Sequence, residues 1–184
     1  MKLMLTSCGL ETPNIMEKFL SLLPCAPQEA KVLFLPAAAI SCDAIEVLPK
    51  CLEDLYKADI PKENITIYDL HVPLTKAALS ETDCIYIPGG NTIHLAKRLR
   101  EGSSQVLLQY LHANRGVIVG VSAGSMVFST HTPAALDILP NELHVHCSNG
   151  TQDGKLPPAH QPIFLSNVQA IVYEGNREPK ILSN

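Results

Sequence analysis

The stretch GVIVGVSAGSMVF, residues 116–128, decides the fold. Gly116–Val121 is a short, continuous apolar run, as expected of a strand covered on both faces. A helical pattern starts at once with Ser122. A buried strand feeding directly into a helix is the repeating unit of a parallel α/β sheet. The junction reads Gly120-Val121-Ser122-Ala123-Gly124, the G-x-S-x-G context of a nucleophile elbow. A serine on so tight a turn projects its hydroxyl from the sheet, and only very small residues two positions away on either side avoid collision. The new helix also aims its N-H groups and positive dipole end at the turn, favouring a developing oxyanion. The structural alternative is a tight βα turn with a capping serine.

The same alternation continues on both sides. Strands are expected at Lys2–Ser7, Lys31–Pro36, Asn64–Leu70 and Asp83–Pro88, and helices at Pro13–Leu23, Ser41–Tyr56, Thr92–Glu101 and Ser104–Asn114. Beyond Phe128 the pattern changes: His144–Cys147 and Ala170–Tyr173 look extended. Ser148–Gln161, with two glycines and two prolines, reads as a long, mobile loop. The expected fold is α/β, a three-layer sandwich around a mostly parallel central sheet, with residues 1–184 forming one domain.

Apolar residues make up 46% of the chain and charged residues 17%, a globular balance. The net charge of -4 comes without any basic run, which argues against a nucleic-acid partner. No apolar stretch is long enough for a membrane span or a signal peptide. The six cysteines show no C-x-x-C spacing and mostly sit in apolar stretches, so free thiols, a reducing compartment and a cytoplasmic location are expected. A monomer or a homodimer fits this composition.

Pro88-Gly89-Gly90-Asn91-Thr92 ends one strand and opens a helix. Its paired glycines let the backbone approach a ligand. In a parallel sheet this loop and Ser122 share the carboxyl edge of the strands, where such sheets bind ligands. The N-H groups of Gly90 and Ala123 could together hold an oxyanion; otherwise Asn91 or Thr92 is simply a helix cap. A serine nucleophile needs a base, usually histidine held by a carboxylate. His71, His94, His112 and His131 have no special company, whereas His144 and His146 alternate on one strand and could face one pocket. His144-x-His146 also admits a metal reading, with His160, Glu174 or Cys147 as third ligand. Asp137, Glu142, Asp153, Glu174 and Glu178 are the downstream carboxylates; Glu174 closes a strand-like segment, but spacing does not choose among them.

These motifs together resemble the dipeptidase E (aspartyl dipeptidase) family of serine peptidases, which also contains cyanophycinases. The resemblance is tightest at IYIPGGNTIHLAKRL, GVSAGSMVF, LDILPNELHVHCSN and IVYEGN. It implies a fold similar to class I glutamine amidotransferases. It implies Ser122 as nucleophile, His146 as base, Glu174 as third member, and Gly90 and Ala123 at the oxyanion hole. Gly89, Asn91 and His144 complete the candidate substrate-binding set, with no metal and no organic cofactor. The implied activity is hydrolysis of short peptides through an acyl-enzyme, an N-terminal Asp being one option. Lys155, Arg177 and His160 are the candidates for pairing with an acidic substrate side chain. Two alternatives stand beside this: an esterase or amidase on the same site, and a non-catalytic binding or sensing module. Val145-His146-Cys147 departs from the Pro-His-aromatic context usual in the family.

Overall fold

A computed structural model describes residues 1–130, 133 and 135–183. Five short apolar segments form its parallel strands: β1 (Lys2–Thr6), β2 (Val32–Phe34), β3 (Ile65–Ile67), β4 (Cys84–Ile87) and β5 (Val117–Val121). Between them lie α1 (Pro13–Leu22), α2 (Cys42–Lys57), α3 (Thr92–Arg100) and α4 (Ser104–Ala113), and the one-turn α5 (Ala123–Met126) follows β5. β2, β4 and β5 are buried along their whole length, which is why they lack polar alternation. Side chains of successive strand residues enter opposite layers. Leu3, Leu5, Ile85 and Ile118 pack with Leu95 and Leu99 of α3 and Leu107 and Leu111 of α4. Met4, Tyr86, Val117 and Val119 pack with Ile15, Phe19 and Leu22 of α1 and Leu55 of α2. Two separate cores on the two faces make the α/β/α sandwich. Phe19 is fully buried, and its removal to Ala would cost about 3–5 kcal/mol.

The helices start where their caps allow. The Thr12, Ser41 and Asn91 side chains accept the N-H groups of Ile15, Ala44 and His94, supplying partners for donors a helix leaves orphaned. α4 ends at Asn114, whose φ of 54° suits a left-handed cap.

Beyond α5 the chain forms β6 (Leu143–His144), β7 (Gly154–Lys155), β8 (Ile163–Phe164), β9 (Ala170–Glu174) and β10 (Lys180–Leu182). The main sheet has the order β3-β2-β4-β5-β1-β9-β10-β7; β6 and β8 pair separately. β1 to β5 are mutually parallel, but β9 runs antiparallel to β1, with Lys2 opposite Glu174 and Thr6 opposite Ala170. Consequently the start of β9, not its end, lies at the carboxyl edge of the parallel strands.

The expected strand at Asn64–Leu70 shrinks to three residues at the sheet edge, where Ile67 is 62% exposed. The stretch expected as a mobile loop contains β7 paired to β10, and its neighbours are tied down. Gln169 Nε2 donates to Thr151 O at 2.7 Å and Asp153 Oδ1 at 2.9 Å. Asp153 in turn accepts the Ser183 N-H at 2.9 Å. This segment is anchored to the sheet rather than held as a lid. No helix among the described residues is long and apolar enough to cross a membrane.

Candidate active site

The chain leaves β5 through Ser122 with φ 51° and ψ -111°, a conformation a side-chain-bearing residue rarely adopts. Such strain costs on the order of 1–3 kcal/mol and persists only where surroundings over-determine it. They do so here. Ser122 N-H donates to Thr6 O of β1 at 3.0 Å. The Ser125 hydroxyl lies 2.8 Å from Thr6 O and 2.7 Å from Gly120 O, bridging the two strands beneath the elbow. A Cβ on Gly120 would sit 2.3 Å from Gly124 O, and one on Gly124 would sit 2.0 Å from Ile87 O. The steric reading of G-x-S-x-G therefore holds at both glycines. The helix behind it is shorter than expected: α5 has four residues, so it offers first-turn N-H groups such as that of Ala123 rather than a long macrodipole.

The Gly89–Asn91 loop lies against this elbow. A Cβ on Gly89 would come within 3.3 Å of Ser122 Cβ, and Gly90 (φ 138°) is pressed so closely on Ala38 O that no side chain fits. Asn91 N-H donates to the same Ala38 O at 2.7 Å. Asn91 Oδ1 accepts the His94 N-H at 2.8 Å, so its side chain caps α3 and is already occupied.

The side chain that meets Ser122 comes from the segment after β6. His146 Nε2 lies 2.9 Å from Ser122 Oγ, and its Nδ1 lies 3.0 Å from Asn167 Oδ1. An amide oxygen can only accept, so Nδ1 carries the proton and Nε2 presents a lone pair to the serine hydroxyl. Ser7, directly after β1, braces both partners. Its Oγ accepts the His146 backbone N-H at 2.7 Å and donates to Asn167 Oδ1 at 3.3 Å. His146 itself has φ 58°, so β6 ends before it and the face shared by His144 and His146 in an ideal strand is broken. His144 instead stacks on Phe164, ring centroids 4.9 Å apart, and pairs with Glu142 at 3.2 Å.

Glu174 is not the residue that meets the imidazole. It lies four residues along β9 from Ala170, about 13 Å toward the opposite edge of the sheet at strand rise. There it pairs with Lys18 and Arg177, each at 2.9 Å. The Lys18 hydrogen bond chiefly holds its carboxyl below the usual range, against the opposing effect of burial. Asn167, three residues before β9, takes the orienting position. The other expected substrate contacts are also engaged elsewhere. Lys155 pairs with Glu178 at 2.8 Å and Arg177 with Glu174, while His160 (φ 70°) is held by its backbone, whose N-H donates to Pro140 O at 2.9 Å, and does not line the Ser122 cavity. Among the described residues no group of three or more His, Cys, Asp or Glu is gathered to hold a metal. His131 lies outside the described residues.

Ser122, His146, Gly89 and Gly90 line a cavity of about 380 Å³ that extends over the β1–α1 loop to α2. Its floor carries Asp54, 5% exposed, whose Oδ2 accepts the Leu10 N-H and the Tyr86 hydroxyl, both at 2.9 Å. Burial raises the Asp54 carboxyl, partly countered by these two donors. Cys8 and Cys51 also line the cavity. Burial raises the Cys8 thiol and pushes the Cys51 thiol up to about 11. Both stay protonated at neutral pH and are poor nucleophiles, which leaves the Ser122 hydroxyl as the group paired with a base.

Residues 3–144 match the family model of peptidase family S51. This chain belongs to that family. Family S51, the dipeptidase E family, comprises serine-type peptidases, and the chain is a peptidase. The match includes the Gly89–Asn91 loop and Ser122 but ends two residues before His146. A peptidase E protein of Listeria monocytogenes EGD-e has a similar fold, with a TM-score of 0.72 and 19% identity over 100% of this chain and 97% of that one. A peptidase from an acI-B1 Actinobacterium gives a TM-score of 0.66 and 18% identity, covering 100% of this chain and 87% of its own. At such identities the likeness is one of fold, and it agrees with the glutamine amidotransferase-like architecture expected above. A comparison with curated proteins gives no match.

Proposed function

We propose that this S51 member hydrolyses short peptides through Ser122, His146 and Asn167, with an acyl-enzyme on Ser122. The observation that carries the reading is the 2.9 Å approach of His146 Nε2 to Ser122 Oγ on a strained elbow. His146 takes the hydroxyl proton as Oγ attacks the scissile carbonyl carbon, then gives it to the leaving amine as the C-N bond breaks. Water, deprotonated by the same nitrogen, attacks the ester carbonyl carbon; the C-Oγ bond breaks, His146 returns the proton to Ser122 Oγ, and the acid leaves. The N-H groups of Gly90 and Ala123 receive the oxyanion; one such donor is worth about 3–4 kcal/mol in the transition state. Asn167 fixes the imidazole tautomer but, being neutral, stabilises the imidazolium less than a carboxylate would. Six free cysteines favour a reducing, cytoplasmic setting.

The test is dipeptide hydrolysis followed by chromatography of the released amino acids. Wild-type protein is expected to cleave, while Ser122→Ala and His146→Ala lose at least 1000-fold in kcat. Peptide cleavage that survives Ser122→Ala would overturn the assignment.

A further inference from the structure

The Ser122 cavity contains an ion pair that the catalytic scheme does not use. Glu11, at the end of the β1–α1 loop, and Lys50, on α2, both line it, and Glu11 Oε1 lies 2.5 Å from Lys50 Nζ. A 380 Å³ cavity is about 9 Å across if treated as a sphere, so a group bonded to Ser122 has each wall within reach of a single amino-acid residue. The pair is half-open to solvent, with the Lys50 side chain 61% and the Glu11 side chain 35% exposed, so its partners can accept a newcomer at little cost.

Charge decides which newcomer fits. Lys50 is the cation lining the cavity, and Glu11 already compensates it. Asp54 adds a second carboxyl group below. No uncompensated positive charge is therefore offered to an acidic side chain, while the Glu11 carboxylate, 35% exposed and partnered by Lys50 and the Cys8 thiol, is the accessible anion for a second cation. The remaining α2 wall, Ala44, Val47 and Leu48, is apolar. We infer that Glu11 anchors the free N-terminal ammonium of the substrate, and that the first side chain is uncharged and apolar, resting on Ala44, Val47 and Leu48. Lys50 serves as the counter-ion of Glu11, not as a receptor for a substrate carboxylate. This rests on Ser122 being the point of attack, and it points away from an aspartyl preference.

Binding of Leu-Leu, Asp-Leu and N-acetyl-Leu-Leu to the Ser122→Ala protein, measured by calorimetry, tests the inference without turnover. Leu-Leu is expected to bind at least tenfold more tightly than either other peptide. Glu11→Gln in the same background should weaken Leu-Leu about tenfold and leave the acetylated peptide unchanged. Lys50→Met should leave Leu-Leu as tight or tighter, since Glu11 is freed. Thermal melts confirm that these exposed-site variants fold. Tighter binding of Asp-Leu that collapses with Lys50→Met would overturn the inference, as would absence of binding by all three peptides. Failure of the catalytic reading shows separately, as peptide binding without Ser122-dependent hydrolysis.

Discussion

Replacing Asn167 isolates the most unexpected part of the site. Asn167→Ala removes the acceptor of the His146 Nδ1 proton at 3.0 Å and of the Ser7 hydroxyl at 3.3 Å. A neutral hydrogen bond contributes about 1 kcal/mol net, and the longer of these two contributes less. Both His146 and Asn167 are solvent-exposed, so water replaces part of what is lost. The sum is about 1.5–2 kcal/mol in the transition state, or roughly a 10- to 30-fold slower reaction. Asn167→Asp should act in the opposite direction. A charged acceptor makes a hydrogen bond about twice as strong, so the imidazolium gains about 1 kcal/mol and the reaction accelerates roughly fivefold. The acid limb of the pH profile then moves upward, because the added carboxylate favours the protonated ring. The assay is the second-order rate of inactivation by a fluorophosphonate, which needs no knowledge of the natural substrate. An Ala variant within twofold of wild type, or an Asp variant slower than wild type, refutes the role given to Asn167.

Further outcomes follow from the same geometry. Glu174→Gln is expected to leave the inactivation rate within twofold, because its carboxylate serves Lys18 and Arg177. Its effect is instead a small loss of thermal stability at neutral pH that fades as acid protonates wild-type Glu174, whose depressed carboxyl stabilises the fold only above that range. Gly124→Ala drives a methyl to 2.0 Å from Ile87 O and should cost about 3 kcal/mol, lowering the melting temperature by roughly 6–12 °C in calorimetry. Asp54 titrates above its unfolded value, so the folded state holds more protons and wild-type stability falls as pH rises through that interval. Asp54→Asn, able to accept from Leu10 and Tyr86 with its amide oxygen, should therefore gain in relative melting temperature between acid and neutral pH. A constant difference across that range contradicts the burial argument.

The parallel half of the fold was legible because its strands are buried on both faces and announce themselves as apolar runs, as at Cys84–Ile87 and Val117–Val121. The elbow was legible because steric need forces glycine at both 120 and 124. The C-terminal third was legible only in part: Ala170–Tyr173 is extended as expected, but its direction was hidden. Nothing in QAIVYEGN reveals that β9 runs against β1, yet that direction alone moves Glu174 away from the imidazole and brings Asn167 to it. Asn167 also carries no charge, so a search for carboxylates passes over it. Ser7 looked like the last residue of a strand; only the long-range approach of residue 146 gives its hydroxyl a purpose. Lys50 and Glu11 lie far upstream of Ser122, and a helical periodicity cannot show that they meet across a cavity. His144 was drawn toward the site by strand alternation, which the left-handed backbone at His146 interrupts.

The proposed chemistry needs one hydroxyl, that of Ser122, made reactive by the neighbouring His146 imidazole. Mass spectrometry of protein treated with a fluorophosphonate tests it directly. A single phosphonyl adduct is expected on the peptide containing Ser122, abolished in His146→Ala protein that retains its wild-type melting profile. Unmodified Ser122 in folded wild-type protein, or an adduct that forms equally fast without His146, would contradict it.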